Sequence, residues 1–246
     1  MAVKLIRSDL LASPEAAARF KREAKAAASF SHPNVVTVYD FGVAEDQRAY
    51  LVMELLHGCT LRQELRQRGH LPAARALEIL RGACAAVEAA HRRRLLHRDL
   101  KPENIFLAHL EGLETAKVLD FGVVKPIAPG EETLTLGETA PGVLIGTLRY
   151  MSPEQLRGEA PAEGWDLWAL AVVAYEMLTG EYPFAGAVAA DWQRAVLAGR
   201  VMPLCAHLPA APASWESFFH RALASDRAQR PASASQLFAD FQQAVQ

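Results

Sequence analysis

Cysteine, long apolar runs and an excess of charge of either sign are all scarce in this chain of 246 residues. The three cysteines (Cys59, Cys84 and Cys205) are odd in number and lack metal-ligand spacing, which predicts reduced thiols in a cytoplasmic protein. No run of about eighteen apolar residues occurs, so we expect no membrane-spanning helix. The first residues also lack the basic-then-apolar order of a signal peptide. A formal net charge of −2 gives no reason to expect a nucleic-acid or membrane surface.

The chain is organised around a polar loop at residues 97–104, which reads His-Arg-Asp-Leu-Lys-Pro-Glu-Asn. Apolar segments flank this loop on both sides, and loops held by rigid flanks commonly carry catalytic groups. Asp99, Lys101 and Asn104 are expected to converge from it. A carboxylate can accept a proton from a hydroxyl, and an ammonium can offset charge on a moving phosphoryl group.

A second acidic motif follows the loop, where an apolar strand ends in Asp120-Phe121-Gly122. The glycine permits a turn there. We expect Asp120 and Asn104 to lie on neighbouring strand ends. Carboxylate and amide oxygens suit Mg²⁺, which takes few protein ligands and shares the rest with phosphate and water. The sequence therefore predicts a magnesium site formed by Asn104 and Asp120.

These two motifs resemble the catalytic loop and the metal motif of eukaryotic-type protein kinases. Lys101, two residues after Asp99, is typical of the serine/threonine branch, and the richness in alanine and arginine indicates a GC-rich bacterial genome. The resemblance implies an α+β, two-lobed kinase fold, with a small β-rich N-lobe and a larger helical C-lobe. It also implies transfer of the γ-phosphoryl group of ATP, with Mg²⁺, to Ser or Thr of protein substrates.

The same resemblance assigns residues to the nucleotide. Lys4 resembles the lysine that binds the α and β phosphates, and Glu23 resembles the helix glutamate that pairs with it. An isolated lysine of this kind is by default a surface residue on an edge strand, but the following helix, which carries Glu23, favours the phosphate-binding interpretation. Met53 would be the gatekeeper at the end of a strand, and the backbone of Glu54 and Leu56 would face adenine.

The chain is expected to divide into a partial small lobe at residues 1–55 and a large lobe at 56–246. An activation segment is expected at 120–154, because the residues after Asp120 are rich in Gly and Pro and show no periodicity. Its end, Gly146 to Glu154, resembles the substrate-docking loop. The candidate phosphorylation sites in this segment are Thr133, Thr135 and Thr139, whose phosphate could dock on Arg98.

Several supporting elements are also predicted. Val35 to Phe41 and Ala49 to Leu55 are apolar runs typical of strands. Asp166, near the start of a helix that is apolar on all sides, resembles the family aspartate that holds the catalytic-loop backbone. Arg230 resembles the ion-pair partner of Glu154, which is a structural role rather than a catalytic one.

One expected feature is missing before Lys4: two strands bridged by a glycine-rich loop that covers the phosphates. The strand that carries Lys4 is therefore expected to be an exposed edge. The chain could be a fragment or a gene model with its start too far downstream, a short kinase with weak nucleotide grip, or a kinase-like binding module without turnover. The intact motifs favour the enzyme, whereas the missing lid argues against efficient catalysis.

Overall fold

The computed structural model describes residues 1–6, 13–44, 48–110, 112–121, 148–186 and 188–246, so Thr133, Thr135, Thr139 and most of the predicted activation segment lie outside it. The strands are β1 (Ala2–Ile6), β2 (Val38–Val43), β3 (Ala49–Met53), β4 (Gly58–Thr60), β5 (Ile105–Leu110) and β6 (Leu113–Val118). The helices are α1 (Pro14–Ala28), α2 (Leu61–Arg68), α3 (Ala73–His91), α4 (Pro153–Leu156), α5 (Glu163–Thr179), α6 (Ala189–Leu197), α7 (Ala213–Ala222) and α8 (Ala234–Val245). The predicted two-lobed α+β fold is confirmed.

The small lobe is a three-stranded antiparallel sheet, in the order β1-β3-β2, with α1 packed beside it. Ser13 begins α1 because its hydroxyl accepts a hydrogen bond from the backbone N–H of Ala16 at 3.1 Å. Phe20 and Ala24 of this helix form a separate apolar cluster with Leu51 of β3. Burial of the Phe20 and Leu51 side chains contributes about 1.5–3 kcal/mol each, which fixes α1 on the sheet.

Strand β1 is an edge of this sheet in the part of the chain that the structure describes, as predicted. Val3 and Leu5 are 62% and 56% exposed, whereas Ile6 is buried. Side chains alternate between the two faces of a strand, so Lys4 shares the inner face with Ile6. The alternation therefore directs the Lys4 ammonium towards the space between the lobes.

The prediction of a strand from Val35 to Phe41 is wrong at its start, because β2 begins at Val38. The residues before Val38 bond to the large lobe instead. The backbone N–H of Val36 donates to the carbonyl of Val118, at the end of β6, at 3.0 Å. This contact ties the two lobes together directly below the small sheet.

Helix α5 forms the centre of the large lobe, as its uniformly apolar sequence predicts. Trp168 and Tyr175 on this helix are completely buried. Helix α3 packs against α5, α8 and β6, while α7 packs against α5 and α8. Among the helices that the structure describes, none is long and apolar enough to cross a bilayer.

The predicted ion pair between Glu154 and Arg230 is present and buried. The two guanidinium nitrogens of Arg230 contact the two carboxylate oxygens of Glu154 at 2.8 and 3.0 Å. The guanidinium also lies over the ring of Trp168, with its carbon 4.7 Å from the ring centroid. This pair fixes α4 to the large lobe, and with it the chain that follows the predicted activation segment.

Candidate active site

The polar loop at residues 97–104 is held by the buried carboxylate of Asp166, as predicted. Its two oxygens accept hydrogen bonds from the backbone N–H of His97 at 2.9 Å and of Arg98 at 2.8 Å. The Nε2 atom of His91 lies 2.8 Å from the same carboxylate. Arg98 has a φ of 67°, which a non-glycine residue adopts at a cost. The bonds from Asp166 therefore hold a backbone conformation that the loop alone would disfavour.

His97 links this loop to the end of β6. Its Nδ1 accepts a hydrogen bond from the backbone N–H of Asp99 at 3.2 Å, and its Nε2–H donates to the carbonyl of Leu119 at 2.7 Å. Both bonds are satisfied by the neutral imidazole. Burial lowers the pKa of His97, although the nearby carboxylates, Asp166 first among them, oppose the shift. The histidine is thus a neutral bridge between the residues beside Asp99 and those beside Asp120.

Asp99, Lys101 and Asn104 converge as the sequence predicts. The Nζ of Lys101 lies 3.0 Å from Oδ2 of Asp99. The side-chain amide of Asn104 donates to the carbonyl of Asp99 at 2.8 Å, with a longer contact of 3.4 Å to Oδ2. Because Asn104 uses its nitrogen for Asp99, its side-chain oxygen is the atom that can serve as a metal ligand.

The antiparallel hairpin of β5 and β6 brings Asp120 to Asn104. Ile105 is the register partner of Val118, so the residues before β5 and after β6 leave the hairpin at the same end. The backbone N–H of Leu119 donates to the carbonyl of Asn104 at 2.9 Å, which continues this pairing. Asp120 follows with a φ of 55°. The two predicted metal ligands therefore lie on neighbouring strand ends.

This pair of oxygen ligands fits a magnesium ion. The part of the chain that the structure describes contains no group of three or more His, Cys, Asp or Glu side chains that could hold a metal. Mg²⁺ does not require such a group, since it commonly binds through one or two carboxylates together with phosphate and water.

Lys4 reaches the same region from the small lobe. Its Nζ lies 2.5 Å from Oδ2 of Asp120, and both side chains are partly exposed. The ion pair described for Glu23 is with Arg98, at 3.7 Å. The predicted ion pair of Lys4 was with Glu23, whereas the structure pairs Lys4 with Asp120, because Asp120 competes for its ammonium. Lys4 nevertheless borders the space above Asn104 and Asp120.

The residues predicted to form the hinge, Met53 to Leu56, lie at and after the end of β3. Strand β3, which was predicted to continue to Leu55, ends at Met53, because the backbone N–H of Glu54 donates to the carbonyl of Thr37 at 2.9 Å. Met53 lines a small, mainly apolar cavity together with Asp120. Leu56, the other backbone predicted to face adenine, is half-buried.

The carboxylate of Glu54 is held in place by two contacts. It accepts a hydrogen bond from the backbone N–H of Thr37 at 2.7 Å and an ion pair from Lys117 at 2.8 Å. The sequence analysis did not identify Lys117 as a partner of Glu54. It stands in a strand of mixed polarity, and nothing in that pattern indicates that its ammonium reaches the hinge.

The residues that follow the predicted activation segment lie beside Asp99. Tyr150 and Met151 line a small cavity together with Asp99 and Leu100. Tyr150 is buried. The segment that resembles a substrate-docking loop therefore faces the proposed base. Arg62, which contacts Tyr150, was also missed, because an arginine in a short polar helix carries no sequence signal for burial.

Comparisons with known proteins give independent evidence on the family and the fold of the chain. The family model of the protein kinase domain matches residues 1–241. The serine/threonine-protein kinase PknB of Mycobacterium leprae is 41% identical over 189 residues, which cover 76% of this chain and 29% of the relative. The probable serine/threonine-protein kinase PknB of Bifidobacterium longum is 37% identical over 251 residues, covering 98% and 35%. The serine/threonine-protein kinase PrkC of Bacillus subtilis is 34% identical over 244 residues, covering 99% and 36%.

The chain thus spans about a third of the length of these curated relatives. Among solved structures, the PknI kinase domain of Mycobacterium tuberculosis superposes with a TM-score of 0.74 and 24% identity, covering 98% of this chain and 84% of that chain. At this identity the likeness concerns the fold alone. A family match over nearly the whole chain, together with the shared fold, shows that the chain belongs to the protein kinase domain family.

Proposed function

We propose that this chain is a serine/threonine protein kinase, which transfers the γ-phosphoryl group of ATP to a Ser or Thr hydroxyl of a protein. The observation that carries the proposal is the meeting of Asp99, Asn104 and Asp120. Asn104 bonds to Asp99 through its side chain and to Leu119, the neighbour of Asp120, through its carbonyl. These hydrogen bonds connect the proposed base, Asp99, with the two proposed metal ligands, Asn104 and Asp120. The serine/threonine kinases among the relatives support the choice of acceptor.

In this mechanism Asp99 orients the acceptor hydroxyl and accepts its proton. The hydroxyl oxygen forms a bond to the γ-phosphorus as the bond from that phosphorus to the bridging oxygen of ADP breaks. Lys101, 3.0 Å from Asp99, stabilises the negative charge on the phosphoryl oxygens during transfer.

The remaining residues bind the nucleotide. The side-chain oxygen of Asn104 and the carboxylate of Asp120 would hold Mg²⁺, which when bound offsets the charge of the triphosphate. Lys4 would bind the α and β phosphates after leaving Asp120, and Glu23 would then hold its ammonium. ATP binding therefore requires exchange of the ion pair between Lys4 and Asp120.

The adenine would lie at the hinge. The backbone of Glu54 and Leu56 would face its polar edge, while Met53 would close the back of the pocket. The carboxylate of Glu54 is occupied by Lys117 and Thr37, so it does not compete with adenine for the space.

An ATP substrate and the free thiols of the chain support a cytoplasmic location.

The test is phosphotransfer from radiolabelled ATP, with Mg²⁺, to a generic basic protein. We expect label on Ser or Thr from the wild type and none from Asp99→Asn, which removes the proton acceptor with little change in volume. Asp191→Asn makes the same change at a partly exposed position of α6 and should retain activity. Equal labelling by Asp99→Asn would remove Asp99 from its role. A rise in melting temperature with Mg-ATP, but no label, would instead indicate a binding module.

A further inference from the structure

The side chain of Arg62 joins four parts of the large lobe beside the proposed base. Its Nε lies 2.7 Å from the carboxylate of Glu103, in the short 3₁₀ turn after Lys101. One terminal nitrogen lies 2.5 Å from Glu176 of α5, and the other donates to the hydroxyl of Tyr150 at 2.5 Å. Helix α2, which carries Arg62, is thereby connected to the catalytic loop, to α5 and to residues 148–152.

The hydrogen bonds of this cluster form a closed ring. The hydroxyl of Tyr150 accepts from Arg62 and donates to the second carboxylate oxygen of Glu176 at 2.5 Å. Glu176 is 3% exposed and Arg62 is 14% exposed at the side chain. Buried charges of this kind are tolerated only when paired and hydrogen-bonded, so the geometry of each group depends on the other two.

The charges of the cluster are correspondingly interdependent. Burial raises the pKa of Tyr150, and the carboxylate of Glu176 raises it further, so the hydroxyl keeps its proton and can donate. Burial alone would lower the pKa of Arg62, but Tyr150 and Glu176 together raise it. The guanidinium therefore stays charged and holds both partners.

Two members of the cluster belong to segments that adjoin Asp99. Tyr150 and Met151 line a cavity together with Asp99, and Glu103 follows Lys101 by two residues. An acceptor peptide that presents a hydroxyl to Asp99 must lie beside residues 148–152 and the catalytic loop. One guanidinium, that of Arg62, contacts both of these segments.

We propose that Arg62 is a positioning residue for the phosphoacceptor, which holds residues 148–152 and the catalytic loop at the spacing that docks the acceptor peptide beside Asp99. The proposal rests on the kinase function proposed above. It concerns the acceptor and not the nucleotide, because Lys4 and Asp120 make none of the contacts of this cluster.

The primary experiment is steady-state kinetics of Arg62→Ala with a peptide acceptor and with ATP varied separately. We expect the KM for the peptide to rise about tenfold or more, since small misplacements of a docked substrate are costly, while the KM for ATP stays within about twofold. The matched control is Arg66→Ala, an exposed arginine on the same helix, which should change neither constant.

Three further measurements separate positioning from general stability. Arg62→Lys should restore little, because an ammonium cannot supply the planar fork that three acceptors require. Added methylguanidinium should lower the peptide KM of Arg62→Ala but not that of the wild type. Tyr150→Phe keeps the ring and removes the hydroxyl, and it should also raise the peptide KM. This variant replaces Arg62→Ala in the experiment if Arg62→Ala does not fold.

Hydrogen exchange gives a readout that does not depend on activity. The amides of residues 148–152 should exchange faster in Arg62→Ala than in the wild type, with Arg66→Ala unchanged. A wild-type chain without phosphotransfer would overturn the proposed function, and the exchange rates would still decide whether Arg62 fixes this segment. An unchanged peptide KM, or an equal rise in both KM values together with a lower melting temperature, would overturn the positioning role.

Discussion

Replacing Asp166 with asparagine should loosen the catalytic loop while leaving the core of the large lobe intact. The carboxylate accepts from the backbone N–H of His97 at one oxygen and from that of Arg98 at the other. Asparagine keeps the shape but offers one acceptor oxygen, so its NH₂ group must face one of these donors. The variant therefore loses one charge-assisted bond and leaves a buried donor without an acceptor.

The cost follows from these two changes. A hydrogen bond to a charged group contributes about 1.5–3 kcal/mol, and an unsatisfied buried donor costs about 1–3 kcal/mol, although the two overlap. We expect a loss of about 3 kcal/mol in the free energy of unfolding. For a chain of this length, that corresponds to a fall of roughly 6–12 °C in melting temperature.

The effect on catalysis should be larger than the effect on stability suggests. Arg98 precedes Asp99 and keeps a left-handed backbone that the bonds from Asp166 support. Once one bond is lost, the loop can relax, and a shift of about 1 Å in the base costs about 100-fold in kcat. Urea denaturation measures the change in stability and steady-state phosphotransfer measures kcat, with the partly exposed Asp191→Asn as the control for both. A kcat within about threefold of wild type and a change in unfolding free energy below about 0.5 kcal/mol would refute this account.

Three further outcomes are expected. Arg230→Ala should lower the free energy of unfolding by about 3–5 kcal/mol, because it leaves the buried carboxylate of Glu154 unpaired; urea denaturation tests this. Burial would raise the pKa of Glu154, but Arg230 holds it below its usual value near 4.5. The stabilisation by this pair is therefore fully present above pH 4.5 and is lost as the pH falls through the lowered pKa. The difference between wild type and Arg230→Ala should therefore narrow as the pH falls below about 4.5, and a constant difference would contradict the assignment. Lys4→Met should lose most of the stabilisation by Mg-ATP, which reaches about 2.7 kcal/mol at a hundredfold excess over Kd. Without nucleotide it should cost less than about 1 kcal/mol, since its pair with Asp120 is partly exposed; thermal shift measures both.

Local sequence rules accounted for the elements whose ends are set by nearby residues. Ser13 and Thr60 are of the residue types that favour helix N-caps, and both side chains accept a backbone hydrogen bond from the first turn of their helix. Thr60 forms a complete capping box with Gln63. The uniformly apolar run after Trp165 predicted a central helix, and α5 is buried on all sides.

Other features depend on which distant groups meet, and the sequence does not specify that. Both Glu23 and Asp120 could pair with the ammonium of Lys4 on chemical grounds, and the fold brings it to Asp120. Strand β2 begins at Val38 rather than at the predicted Val35, because the preceding residues form hydrogen bonds with the large lobe. Arg62 was overlooked because its environment is created by α5 and by residues 148–152, far away in the chain.

The bridge made by His97 has a consequence for how the lobes move. Asp99, Asn104 and Asp120 are connected through hydrogen bonds of the backbone and of the His97 side chain, all of which belong to the large lobe. From the small lobe, Lys4 forms an ion pair with Asp120. A movement of the small sheet relative to the large lobe would break this ion pair, but it would leave the proposed base and both ion-binding oxygens together as one preassembled block.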